Sequence, residues 1–273
     1  MSEYTTINAF KPLPDFLCSA CKLSVSFTDD LGKTIQGGGT GFFIQDSLGV
    51  FCLLTNRHVV DIDYKRTTGE YKNFKISQVI IDVKYKDTQT GLPTVDDQLL
   101  ILNINNFIYS NTFENDIACL KDPKVASLTG QEPRLDFWIP FEFLASKEKL
   151  DSELVICDFV AFPGFPDWYD KVNKLPILRT GTIASDPRFN YCFSGKFDGD
   201  CIAYEAFSYS DSSGSPVFAT QKGIKVGSGL SGGGFRELML IGINAGHLPI
   251  QGVYQSHSGI SYLYKSYSII DML

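Results

Sequence analysis

The chain has no concentration of lysine or arginine: 24 basic residues face 31 acidic ones, for a formal net charge of −7. A phosphate backbone or an anionic membrane surface attracts the opposite balance, so neither nucleic acid nor a membrane is expected as the main partner. Nor is there an apolar run of about 18 residues, the length that marks a membrane-spanning helix. The stretch Met1-Ser-Glu-Tyr-Thr-Thr-Ile-Asn-Ala-Phe10 lacks the basic start and apolar core of a secretory leader. If Met1 is the native start, a cytoplasmic protein is expected. An even cysteine count is missing too. Seven cysteines leave one unpaired in a monomer, which suits a reducing compartment, and all seven are read as thiols. Cys18-Ser-Ala-Cys21 has the spacing of half a zinc site, but no second such pair or histidine cluster completes it, so no metal is expected. The glycine clusters Gly37–Gly41 and Gly227–Gly234 lack the Gly-Lys-Ser/Thr ending of a phosphate loop. They read as strand-entry and hairpin glycines, and no cofactor is expected.

What the chain does have is a globular composition, 44% hydrophobic and 20% charged, which is enough apolar surface to fold. At 273 residues, with no shift in composition that marks a flexible linker, one domain over 1–273 is expected. Its two lobes would lie at about 20–135 and 150–265. Short segments rich in Val, Ile, Phe, Tyr and Thr recur between Gly, Asp, Asn and Pro turns, which predicts strands. In the first half they are Leu23–Thr28, Thr40–Gln45, Val50–Thr55, Ile76–Tyr85, Gln98–Ile104 and Asp116–Leu120. In the second they are Glu153–Ala161, Ile177–Ala184, Asp200–Phe207, Pro216–Ala219, Glu237–Asn244 and Ile260–Tyr264. An all-β protein is expected, with about six strands per half, as a sandwich or a pair of barrels, since closure removes exposed edges. Ser146–Ser152 is expected as a short helix or linker between the halves, and Lys265–Leu273 as a terminal helix.

Histidine is scarce: His58, His247 and His257 only. His58 ends the apolar run Leu53-Leu-Thr-Asn-Arg-His58, where a turn can present its imidazole. In Glu114-Asn-Asp-Ile-Ala-Cys-Leu120, Asp116 opens an apolar stretch, and a carboxylate half-buried there needs a partner such as an imidazole N–H. In Tyr209-Ser-Asp-Ser-Ser-Gly-Ser-Pro-Val-Phe218, small residues around Ser213 permit a tight turn whose N–H groups converge on one point. Each element alone is common. Together, in the order His, Asp, Ser, they resemble the trypsin-like serine peptidases. Thr40-Gly-Phe-Phe-Ile44 and Leu54-Thr-Asn-Arg-His58 resemble the bacterial HtrA-type branch of that family. Ser213-Gly-Ser-Pro-Val217 resembles its nucleophile turn, and Arg179-Thr-Gly-Thr-Ile183 and Leu240-Ile-Gly-Ile-Asn244 its second-barrel strands.

The resemblance implies two packed six-stranded antiparallel barrels with the active site in the cleft between them. It also implies a serine endopeptidase acting on protein or peptide substrates, with His58, Asp116 and Ser213 as catalytic triad. Backbone N–H groups of Asp211 and Ser213 would form the oxyanion hole. The substrate pocket would have its floor at Phe207 and a wall at Asn244, Ala245, Gly246 and His247. With no carboxylate on that floor, a Lys or Arg preference is not expected. An apolar or small residue is the first expectation, while His247 would suit an acidic one. His257, between serines in a polar segment, is expected to be exposed.

The chain also departs from the family. Asp211 stands where glycine is usual, which puts the resting oxyanion hole in question. Ser212 stands where digestive members carry the aspartate that pairs with a new N-terminus, so that activation is not expected. The PDZ module of HtrA proteins is not expected, nor are their regulated trimers. The alternative is a latent or inactive module of the same fold that binds extended peptides, or a regulatory protein partner, by strand addition along Asn244–His247.

Overall fold

The computed structural model describes residues 14–104, 107–223, 234–250 and 256–273, with the backbone of 225–226 and 230–231. The first ten residues and most of the second glycine cluster lie outside the described residues. The described chain is mostly strand. A short helix, α1 (Pro14–Cys18), precedes β1 (Ala20–Thr28), β2 (Thr34–Gln45) and β3 (Phe51–Thr55), and the single turn α2 (Arg57–Val60) comes directly after. Then come β4 (Lys75–Lys86), β5 (Pro93–Leu102), β6 (Ile108–Tyr109), β7 (Ala118–Lys121), β8 (Val125–Ser127) and β9 (Ile139–Pro140). These strands form one curled sheet in the order β6-β7-β3-β2-β1-β4-β5-β8, with β9 parallel to β2.

Helix α3 (Lys147–Glu153) leads into the second half, capped by Ser146, whose Oγ accepts from Lys149 N. The second half comprises β10 (Phe159–Gly164), β11 (Ile177–Ile183), β12 (Cys201–Glu205), β13 (Pro216–Ala219), the small pair β14 (Lys225–Val226) and β15 (Leu230–Ser231), β16 (Met239–Pro249) and β17 (His257–Lys265). Six of them close into the barrel β10-β11-β12-β17-β16-β13. Helix α4 (Tyr267–Ile270) ends the chain. This is the chymotrypsin-like double barrel: the second half closes by hydrogen bonds, while the first is a curled half-barrel with small extra strands rather than six closed ones.

Alternation explains how one chain builds three apolar layers. Along β2, Phe43 points into the interior of the first sheet with Leu23, Val25 and Leu53, while Phe42 and Ile44 point the other way. The outward faces of β2, β3 and β7 (Phe42, Ile44, Cys52, Leu54, Cys119) meet Phe218, Leu240 and Ile243 of the second half in a shared core. Val160, Phe162, Ile202, Tyr204 and Ile241 fill the barrel interior. Strands β3 and β13 are buried on both faces and so read as continuous apolar runs.

Three expected elements sit differently. Residues 154–158 are not strand: Leu154 caps α3, Cys157 has φ +70, and buried Asp158 is held by Arg236, Lys222 and Val155 N. β16 runs on past Asn244 to Pro249, so Ala245, Gly246 and His247 belong to the strand itself. The first glycine cluster lies inside β2 rather than at its entry. Its glycines allow close approach: a Cβ on Gly39 would stand 2.8 Å from Val59 Cγ2 and 3.3 Å from the Ser213 carbonyl.

Candidate active site

β3 ends at Thr55, and the chain turns at once into α2, which carries His58. Buried Asn56 donates from Nδ2 to the Asp116 carbonyl (2.7 Å), tying that turn to the segment before β7. Asp116, 8% exposed, then reaches His58 twice: Oδ1 accepts from the His58 backbone N–H (2.9 Å), and Oδ2 lies 2.5 Å from Nδ1. A carboxylate at Nδ1 fixes the tautomer with the proton there and leaves Nε2 as the free base. The imidazole is 40% exposed, so it faces the cleft and not the core. Asp116 is itself positioned by Asn115, whose Nδ2 donates to Asp200 Oδ2 (2.9 Å) and Ser268 Oγ (3.2 Å) and whose Oδ1 accepts from Asp200 N (2.8 Å).

Ser213 sits on a turn pinned to the first sheet from both sides. Its carbonyl accepts from Thr40 N (2.9 Å), and Thr40 Oγ1 donates to the Asp211 carbonyl (2.8 Å). Gly214 comes next at φ +90, where a Cβ would meet the Thr40 carbonyl oxygen at 1.9 Å, so glycine is required there. Before it, Ser212 N donates to the Tyr209 carbonyl (3.0 Å) across a turn whose third residue, Asp211, has φ +68. A positive φ at that place is the type II pattern, and aspartate tolerates it better than most residues. The N–H groups of Asp211 and Ser213 have no hydrogen-bond acceptor among the described residues. Ser213 Oγ donates to the Ala245 carbonyl (3.3 Å), and no described hydrogen bond joins it to His58. The Asp211 carboxyl is pushed up by burial and by the neighbouring Asp167 carboxylate, with which it hydrogen-bonds.

The expected pocket residues take different places. Asn244 is fully buried: its Oδ1 accepts from Tyr204 OH (2.7 Å), and its Nδ2 donates to the Ser212 carbonyl (2.8 Å) and Ser208 Oγ (3.2 Å). It braces the Ser213 turn from behind. Phe207 is 55% exposed and stacks on Tyr209, so its ring stands at the rim. Ala245 and Gly246 come next on β16, and the His247 ring lies on that of His257 with centroids 4.2 Å apart. His257, expected to be exposed, is half-buried, and its Nε2 is 3.0 Å from Ser208 N. Burial beside His247 and Arg179 pushes it down to about 4. Sequence reasoning missed Asn56, Asn115, Thr40, Arg179 and His257 as site residues. The first four sit within the quoted motifs, while His257 carries no local signal. All seven cysteines are free, and among the described residues no cluster of His, Cys, Asp and Glu could hold a metal.

Comparison with solved structures places the fold. The chain is similar to a thermostable serine protease, AL20, from an extremophilic microorganism, with TM-score 0.52 and 12% identity over 94% of this chain and 96% of that one. It is similar to the protease Anisep from Arthrobacter nicotinovorans, with TM-score 0.52 and 13% identity over 94% and 93%. The chain has the fold of the trypsin-like serine proteases. No protein-family model and no curated protein matches it.

Proposed function

We propose that the protein is a serine endopeptidase in which His58, Asp116 and Ser213 form the catalytic triad. The reading rests on one observation above the others: Asp116 meets His58 Nδ1 at 2.5 Å and its backbone N–H at 2.9 Å, on the same cleft wall that pins the Ser213 turn. His58 Nε2 takes the Ser213 Oγ proton as that oxygen attacks a peptide carbonyl, and the proton then goes to the departing amine. The acyl-enzyme is released by water activated in the same way. The unpaired N–H groups of Asp211 and Ser213 support their assignment to the tetrahedral oxyanion. A cation-binding pocket is not part of the reading.

A second reading is favoured by one contact. Ser213 Oγ bonds to Ala245 rather than to His58, as it would in a latent module that binds an extended peptide or a protein partner without cleaving it. Nucleophile and base in unliganded enzymes commonly close up only with substrate, so the contact does not decide against the first. A fluorophosphonate probe separates the two. Labelling confined to Ser213, mapped by mass spectrometry and absent from Ser213→Ala, is expected. Peptide hydrolysis should fall by roughly a million-fold in that variant, the scale of other triads. Folded wild-type protein that resists the probe would support the latent module.

A further inference from the structure

In a chain with a net charge of −7, the wall beside Ser213 holds a half-buried cation that no described carboxylate pairs. Arg179, on β11, is half-buried. Its Nη1 donates to the Phe207 carbonyl (3.1 Å), while its Nε and Nη2 are buried with no hydrogen-bond partner among the described residues. The guanidinium packs on the Phe162 ring at 4.7 Å, and the ionisable groups that perturb it are the phenols of Tyr204 and Tyr209. Burial pulls it down to about 10, so it keeps its charge at neutral pH. A buried cation without a counter-charge is costly, and no described residue supplies one.

That charge is passed into the cleft through one peptide group. Arg179 holds the oxygen of the Phe207–Ser208 peptide, and the N–H of the same peptide points at His257 Nε2 (3.0 Å). The cation thus sharpens the N–H donor that meets the His257 ring. On the other side of the His257 ring, Gly259 N lies 2.8 Å from Nδ1. A neutral imidazole has one bare nitrogen, so two donors facing one ring leave a donor in excess. His247 stacks on that ring, and neither of its own ring nitrogens is hydrogen-bonded among the described residues. It stands two residues along β16 from Ala245, whose carbonyl is 3.3 Å from Ser213 Oγ. That is about 7 Å along a strand, the reach of a glutamate side chain.

We propose that this wall is built for an anionic side chain, so that the enzyme cleaves after glutamate or aspartate, with His247 as the contacting group, backed by the His257 ring, and Arg179 as a positioning residue whose field favours the carboxylate. The proposal rests on and deepens the peptidase reading, and takes the acidic of the two preferences expected from sequence. Lysine and arginine side chains are rejected by the same field.

The test uses the full chain and peptides identical except for the residue before the cleaved bond: Glu, Gln, Leu or Lys. Glu and Gln are nearly isosteric, so their ratio reads charge alone. Wild type is expected to cleave the Glu peptide at least roughly tenfold better in kcat/KM than the Gln one, and the Lys peptide least. Arg179→Met is expected to bring the Glu/Gln ratio towards one while fluorophosphonate still labels Ser213. That labelling separates loss of selectivity from loss of fold, and His247→Asn should move the ratio the same way. Equal cleavage of Glu and Gln, or preference for Leu or Lys, overturns the proposal. Should wild type resist the probe, so that the peptidase reading itself fails, calorimetry with Ser213→Ala and the same peptides still decides. Tighter binding of Glu than Gln supports the anionic pocket, and equal or absent binding rejects it.

Discussion

Asp211 shows how a non-glycine residue is held at a positive φ beside Ser213. Its φ of +68 is the value a glycine would supply, and an aspartate held there costs about 1 kcal/mol of strain. Its carboxyl shares a hydrogen bond with Asp167, and its carbonyl is held by Thr40, so the neighbourhood restrains the turn that glycine leaves free. Burial first, and the negative charge of Asp167 next, keep the proton on Asp211 to higher pH than on an ordinary aspartate. Asp211→Gly is therefore expected to keep or raise kcat/KM, with the gain growing as pH rises and Asp211 ionises. Asp211→Val, which disfavours positive φ, should lower both activity and melting temperature. A glycine variant less active than wild type across the pH range would show that the carboxyl group itself is needed.

At the scale of elements, the β4–β5 ladder carries a titration that works against the fold. Asp82, on β4, is pushed up to about 6, first by burial and next by Asp97 of β5; Lys174, whose Nζ stands 3.8 Å away, offsets only part of this. The unfolded chain loses this proton near the ordinary aspartate value, so the unfolded state holds fewer protons between about pH 4 and about pH 6. Stability thus falls as pH rises through that window. Asp82→Asn removes the penalty. Melting is expected at a higher temperature than wild type at about pH 7, and at the same or a lower one near pH 3.5, where the wild-type carboxyl is already protonated. A variant that melts lower at both values would show that the Lys174 contact outweighs the desolvation.

For the molecule as a whole, the question is what holds His58 on one half opposite Ser213 on the other. Apolar packing between the halves is extensive, but Asn115 is the polar tie next to Asp116. Buried at 2% exposure beside Asp116, it makes three hydrogen bonds to Asp200 and Ser268 of the second half. Asn115→Ala leaves the Asp200 N–H and its carboxylate without this partner, which costs about 1–3 kcal/mol. Differential scanning calorimetry should show that loss, and fluorophosphonate labelling of Ser213 should slow as Asp116 and His58 lose their placement. Labelling at the wild-type rate in a destabilised variant would mean that Asn115 holds the halves together without orienting the base.

How much of this is legible in the chain depends on how local each signal is. Strand positions, the helix at Lys147–Glu153 and the segments bearing His58, Asp116 and Ser213 are written in consecutive residues, because period-2 alternation, a serine cap and a glycine at positive φ are properties of short windows. The stretch around Cys157 reads as strand in isolation, because the ion pairs that hold Asp158 in an irregular segment come from Lys222 and Arg236, far along the chain. By itself, then, the sequence determined an all-β fold and the order of three chemically apt residues, and the double barrel came with the resemblance those residues carry. Only the tertiary structure decided that the first sheet stays open while the second closes, that Phe207 turns to the rim, and that His257 stacks on His247 within the field of Arg179. Those outcomes depend on which strands pair and which charges are left without partners, and both are fixed by contacts between residues that no window of sequence places side by side.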